Sequence, residues 1–198
     1  MQLLKKITLL SLFFVSAFSY AQESGPSKEV TVQSINKYMN ETVGMKWYLH
    51  YLKDENGAVL KDENGNELFN DFEYSLIESV KFTLEEIEEK FYYSEDLGTY
   101  NDRNTYSNMN WDNIKNIDTT VIIANEKKNS ELALIRISFS SKIKWDHTCF
   151  SGSMNVHCDQ TEYYDNLTLC IPKNRVAACY KALMHLKELC AVEDPFED

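Results

Sequence analysis

Hydrophobic and polar positions recur with several periods along this chain, and each period predicts a different element. Residues 7–18 (ITLLSLFFVSAF) are a mostly apolar run, preceded by Lys5 and Lys6 and followed by Ser19-Tyr20-Ala21. Spanning a bilayer takes about 20 apolar residues, so the run is short for that. A basic start, an apolar middle and small residues at the cleavage positions make residues 1–21 an export signal, with Gln22 as the new N-terminus. No cysteine follows the run, which speaks against a lipid anchor there. Mass spectrometry of the exported protein is expected to find a chain starting at Gln22. A chain retaining Met1 to Ala21 would overturn the signal and the compartment together.

After Gly25-Pro26, the residues Val32, Ile35, Met39 and Val43 recur at spacings of three and four. That stripe predicts an amphipathic helix over 28–43, capped by Ser27, with Glu29 in its first turn and Gly44 as its stop. Residues 45–53 alternate, with Trp47, Leu49 and Tyr51 on one face, and predict a strand. A small repeat follows: Lys53-Asp54-Glu55-Asn56-Gly57 returns as Lys61-Asp62-Glu63-Asn64-Gly65. Asn-Gly favours positive φ, so two successive tight turns flanking Ala58-Val59-Leu60 are expected. Asp62, Asn64, Asn66 and Glu67 also invite a calcium-loop reading. An EF-hand needs glycine at its sixth position, however, and Gly65 is fourth from Asp62.

Residues 72–82 suit a helix through Phe72, Leu76 and Val80, and suit a strand by their aromatic and β-branched content. Thr83-x-x-Glu86 reads as a capping box for a short helix with Leu84, Ile87 and Phe91 on one face, opposite Glu85, Glu88 and Glu89. Residues 98–110, with Asn101, Asn104, Asn108 and Asn110, read as a long loop. From Trp111 the pattern turns to β: strands over 111–117 and 119–124, a polar turn at 125–129, then clean alternation over 132–139. Leu167, Leu169 and Ile171 repeat the alternation and Pro172 ends it. Asn174 is expected to cap a final helix whose apolar face carries Val176, Cys179, Leu183, Leu186 and Cys190, with Pro195 beyond its end.

This order is α+β. Two stretches, WDNIKNI over 111–117 and LTLCIPKNRVAACYKALMHLKELC over 167–190, resemble exported bacterial proteins of unassigned function with a pleckstrin-homology-like fold. The resemblance covers about residues 105–190. It implies a bent antiparallel sheet or partly open barrel closed by the C-terminal helix, with the segment around 54–104 as an insertion. It supplies no active site.

Removing the leader leaves 177 residues, a single domain over 22–198, with 18 basic against 31 acidic residues and a net charge near −13. Such a surface repels phosphate backbones and anionic lipid, so nucleic acid and direct binding to anionic membranes are not expected as partners. Phosphoinositide-binding pleckstrin-homology modules use a basic pocket, and no cluster of Lys and Arg here builds one.

All five cysteines fall at positions 149–190, and an odd number leaves at least one thiol outside intrachain bridges. Cys179 and Cys190 are eleven apart on the final helix, about 16 Å, against a Cα limit of about 7 Å for a disulfide. Cys149 and Cys158, around a short glycine-containing loop, are the expected pair. Two alternatives stay open: buried thiols, or zinc held by His147, Cys149, His157 and Cys158. Against zinc, exposed thiols oxidise outside the cytoplasm, and neighbours such as His157 and Cys158 point to opposite faces of a strand. No cofactor or metal is therefore expected.

No nucleophile elbow, zinc-protease helix, Walker loop, dinucleotide fingerprint or Cys-x-x-Cys occurs. No general base or nucleophile with a partner can be nominated, so the chain is not expected to be an enzyme. Tyr100, Tyr106, Trp111, Tyr163 and Tyr164, set among Asn and Asp, are the candidate ligand-binding residues, since rings beside amides can stack on sugars. They are equally expected as half-buried amphipathic residues. The leading expectation is an exported, periplasmic or extracellular module that binds a protein or peptide without catalysis, by strand addition at an open sheet edge. A glycan binder using the Tyr/Asn-rich loop comes next, and an enzyme of unknown class third.

Overall fold

The computed structural model describes residues 25–48, 51–95, 98–120, 131–151 and 156–191, which leaves the expected leader outside the described residues. The first helix, α1, is Lys28–Asn40, and Ser27 caps it by accepting from the Val30 amide. It stops three residues short of the expected end. There the Thr42 hydroxyl donates to the Met39 carbonyl at 2.6 Å, and Gly44, at φ +85°, donates its amide to Ile77. Thr31, Ile35 and Met39, each four apart, are the buried stripe.

The strands are β1 (Lys46–Tyr48), β2 (Tyr74–Phe82), β3 (Glu86–Glu95), β4 (Gly98–Ser107), β5 (Ile114–Asp118), β6 (Leu132–Ser151) and β7 (Val156–Pro172). They form one seven-stranded sheet in the order β1-β2-β3-β4-β6-β5, with β7 on the other side of β6, and each pairing is antiparallel. Residues 136–139 of β6 pair with β5, and residues 144–150 of the same strand pair with β4. A register shift between Ser138 and Ile143 separates the two halves. One long hairpin, β6–β7, thus joins two sheet sections, and residues 121–130, which include most of the expected 119–124 strand, lie outside the described residues.

Three expectations are corrected. The helix expected at 83–91 is strand β3. Thr83 and Glu86 do bond each other, the Thr83 hydroxyl accepting from the Glu86 amide at 3.0 Å, but the pair closes the β2–β3 hairpin instead of starting a helix. Pairing with β2 and β4 on both sides outweighs a short helical pattern. The loop expected at 98–110 is largely β4, held between β3 and β6. Residues 74–104 are consequently not an insertion, because they supply β2, β3 and most of β4 in the same sheet.

What does leave the sheet is the stretch 51–73, shorter than the strand-and-insertion reading implied. Its two Asn-Gly turns form as expected, with Gly57 and Gly65 at φ +84° and +83°. The Asp54 and Asp62 carboxylates each accept two backbone amides, two and four residues on. The leucines eight apart close a ring of backbone bonds: Leu60 donates to Leu52, Leu68 to Leu60 and Leu52 to Leu68, each at 2.9 Å. Near-equal exposures of 39%, 40% and 37% at Leu52, Leu60 and Leu68 fit that pseudo-threefold arrangement.

Short 3-10 turns occupy Trp111–Asn113 and Lys173–Arg175, and α2 runs Val176–Ala191. Asn174 sits inside the second turn and does not precede the helix as its cap. Cys179, Leu183 and Leu186 of α2 are fully buried, and they share one core with Ile35 and Met39 of α1 and with Ile135, Ile137, Leu169 and Ile171 of the β6–β7 hairpin.

Candidate functional site

Register places alternate residues of four strands on one face: Glu89, Phe91 and Tyr93 of β3, opposite Asn104, Asp102 and Tyr100 of β4. Next to them, His147 of β6 lies opposite Asn104, and Cys149 lies opposite Asp102 and Cys158. This face is polar and aromatic where a sheet interior is normally aliphatic.

At its more open end, Nε2 of His147 meets the Asp102 carboxylate, and Nδ1 lies 3.9 Å from Sγ of Cys158. The Trp145 ring stacks on the imidazole at 5.1 Å and 8°, and its indole N–H donates to Asn104 at 2.9 Å. Cys149 and Cys158 are joined as expected, directly across the β6–β7 ladder with Cα atoms 4.9 Å apart, and Cys170, Cys179 and Cys190 lie outside the bridge. Exposed His157 pairs with exposed Phe150, one position from the Cys158–Cys149 pair, and so belongs to the other face, and the four residues weighed for zinc do not converge.

At the deep end, Glu89 is 3% exposed. Burial pushes its carboxyl up to about 7, against the pull of the Cys170 backbone amide, and its Oε1 has no hydrogen-bond partner among the described residues. Burial also raises the Tyr93 phenol to about 12 and the Tyr106 phenol further, with the nearby Glu89 charge adding to both.

Of the five candidate residues, Tyr106 and Tyr164 come together. With Trp145, Asn166, Leu167 and Thr168 they line a pocket of about 280 Å³, where Tyr164 meets Trp145 edge-on at 5.6 Å. Tyr100 lies flat on Tyr93 at 4.7 Å and 5°. Trp111 is in the core, 4% exposed, packed on Phe82 and Phe139 with its N–H on the Leu84 carbonyl. Tyr163, 55% exposed, is on the outer face.

The sequence pattern gives Asp102 and Trp145 no role, places Asn104 only within the Asn-rich loop and puts Glu89 on a polar helix face. The spacing Tyr100-x-Asp102-x-Asn104-x-Tyr106 is a period of two, a strand signal hidden by the polarity of both faces. Comparison of the chain with family models, with curated proteins and with solved structures finds no match in any of the three.

Proposed function

We propose that this protein is an exported binding module that takes an extended, basic segment of a protein or peptide partner along the open edge of its sheet at β7. The observation that carries this reading is pairing: β7 pairs with β6, and among the described strands no other pairs with it, although it is 17 residues long. An unflanked strand offers a row of backbone donors and acceptors to an incoming strand. Residues 157–165 contain Asp159, Glu162 and Asp165 and neither Lys nor Arg, so the complementary segment is basic. The same carboxylates repel a second copy of this edge, which favours a different partner over self-association. A four-strand run, a three-strand run and a final helix support the finer, pleckstrin-homology-like reading, with the two runs meeting through β4 and β6.

The test is selection from a displayed library of ten-residue peptides, followed by amide hydrogen exchange. Basic peptides with alternating side chains are expected, with added protection at 157–165. The double variant Asp159→Lys, Glu162→Lys is expected to weaken them at least about tenfold. Acidic or neutral binders, or protection confined elsewhere, would refute strand addition at β7.

A glycan-binding reading is favoured by one observation, the pocket that brings Tyr106, Trp145 and Tyr164 beside Asn166 and Thr168. Titration with neutral oligosaccharides, followed by tryptophan fluorescence, separates the two readings, because a neutral sugar has no charge for Asp159 and Glu162 to attract and its binding should survive their replacement by lysine.

A further inference from the structure

The disulfide Cys149–Cys158 lies against a held imidazole. Asp102 engages Nε2 of His147, Trp145 covers one face of the ring, and Nδ1 is thereby the nitrogen turned to Sγ of Cys158. Both sulfurs belong to half-buried residues, and His147 keeps a fifth of its side chain exposed, so the group is within reach of solvent. A structural disulfide needs none of these neighbours. Exchange, in contrast, depends on how well the departing sulfur is stabilised, and a ring nitrogen that can hand it a proton does so.

We propose that Cys149–Cys158 is an exchange-active disulfide that oxidises a dithiol substrate, with Cys149 as the attacked sulfur and Cys158 as the leaving group beside His147. One substrate thiol attacks Sγ of Cys149. An S–S bond forms there, the Cys149–Cys158 bond breaks, and its electron pair goes to Cys158. The substrate thiol's proton ends on Cys158 by way of the imidazole. The second substrate thiol then attacks the sulfur of the first and releases Cys149 as a thiol. The substrate leaves as a disulfide, and the protein is left with two thiols. Asp102 is a positioning residue here, since it acts by fixing which ring nitrogen faces the sulfur. Cys179 is fully buried with its thiol pushed up to about 12, and takes no part.

The experiment treats the oxidised mature protein with glutathione, quenches with iodoacetamide and maps the adducts by mass spectrometry. A monothiol carries no second thiol of its own, so the mixed disulfide is resolved only by another glutathione or by return of Cys158, and iodoacetamide traps it by capping Cys158. At least about tenfold more glutathione is expected on Cys149 than on Cys158, with Cys158 alkylated. In His147→Gln and in Asp102→Asn the preference is expected to collapse toward equality, and reduction by dithiothreitol to slow at least about tenfold in the His147 variant. A purely structural role for either residue would alter stability and leave the adduct ratio unchanged. Equal adducts in the unaltered protein, a preference for Cys158, or Cys149 alkylated before any reductant is added would overturn the proposal. Those outcomes need no variant, so a misfolded variant does not rescue it.

Discussion

Leu183→Ala is expected to remove about 2–5 kcal/mol of folding stability from a total of about 5–15 kcal/mol. Leu183 is 0% exposed at the middle of the buried stripe of α2, between Cys179 and Leu186. Truncation forfeits the transfer of its methyl groups from water and leaves a cavity that rigid neighbours fill only in part. For a chain of this size the midpoint of thermal unfolding should fall by roughly 4–20 °C. Lys181→Ala is the control, since that side chain is exposed on the same helix and should change stability by no more than about 0.5 kcal/mol. Equal, small shifts in the two melts would mean that α2 is not docked on the sheet.

The second large effect is a pH dependence set by Glu89. Folding raises its carboxyl from the ordinary 4.5 to about 7 by burial. Between those values the folded protein holds a proton that the unfolded chain has released. Stability therefore falls as pH rises from about 4.5 to about 7 and levels off above, by on the order of 3 kcal/mol in all. Carboxylates such as Asp54, Asp62 and Asp118 are held below their usual range by hydrogen bonds, and they act with the opposite sign, losing stability as pH falls below about 4. Glu89→Gln isolates the buried group, because the amide keeps its size and an oxygen for the Cys170 N–H without titrating. Denaturant melts at pH 5 and pH 8 should show the variant gaining on the unaltered protein at pH 8. Parallel curves would show that Glu89 is not buried in the folded state.

Glu89 also shows why part of the fold was hard to read. As a helical residue it fell on the polar face with Glu85 and Glu88, yet in β3 it alternates with Ile87 and Phe91 and turns inward. Period-based reading assumes that inward positions are apolar, and Glu89, Asp102 and Asn104 break that assumption on neighbouring strands. The Thr83–Glu86 pair is ambiguous for a related reason. A hydroxyl accepting an amide three residues on serves a helix start and a hairpin alike, and only strands on both sides decide between them.

Several features were determined by local sequence alone. The two Asn-Gly turns need positive φ at Gly57 and Gly65, and Asp54 and Asp62 satisfy their amides within five residues. Ile35 and Met39 of α1, the α2 stripe and the alternation at 132–139 and 167–171 are local in the same way, since one buried face at a fixed period is enough to specify each, although Thr31 joins the α1 stripe unexpectedly and Val43, beyond the helix, is exposed. A short loop made Cys149 and Cys158 the expected pair, and the β6–β7 register that sets them opposite each other decided it over the alternatives. Tertiary structure decided the rest. Asp102 and His147 are 45 positions apart, and Trp145 is 41 from Asn104. Nothing local records such partners, because they meet only when β4 pairs with the half of β6 beyond its register shift. The burial of Trp111 and the union of Tyr106 with Tyr164 have the same origin, a sheet whose register is set by strands far apart in the chain.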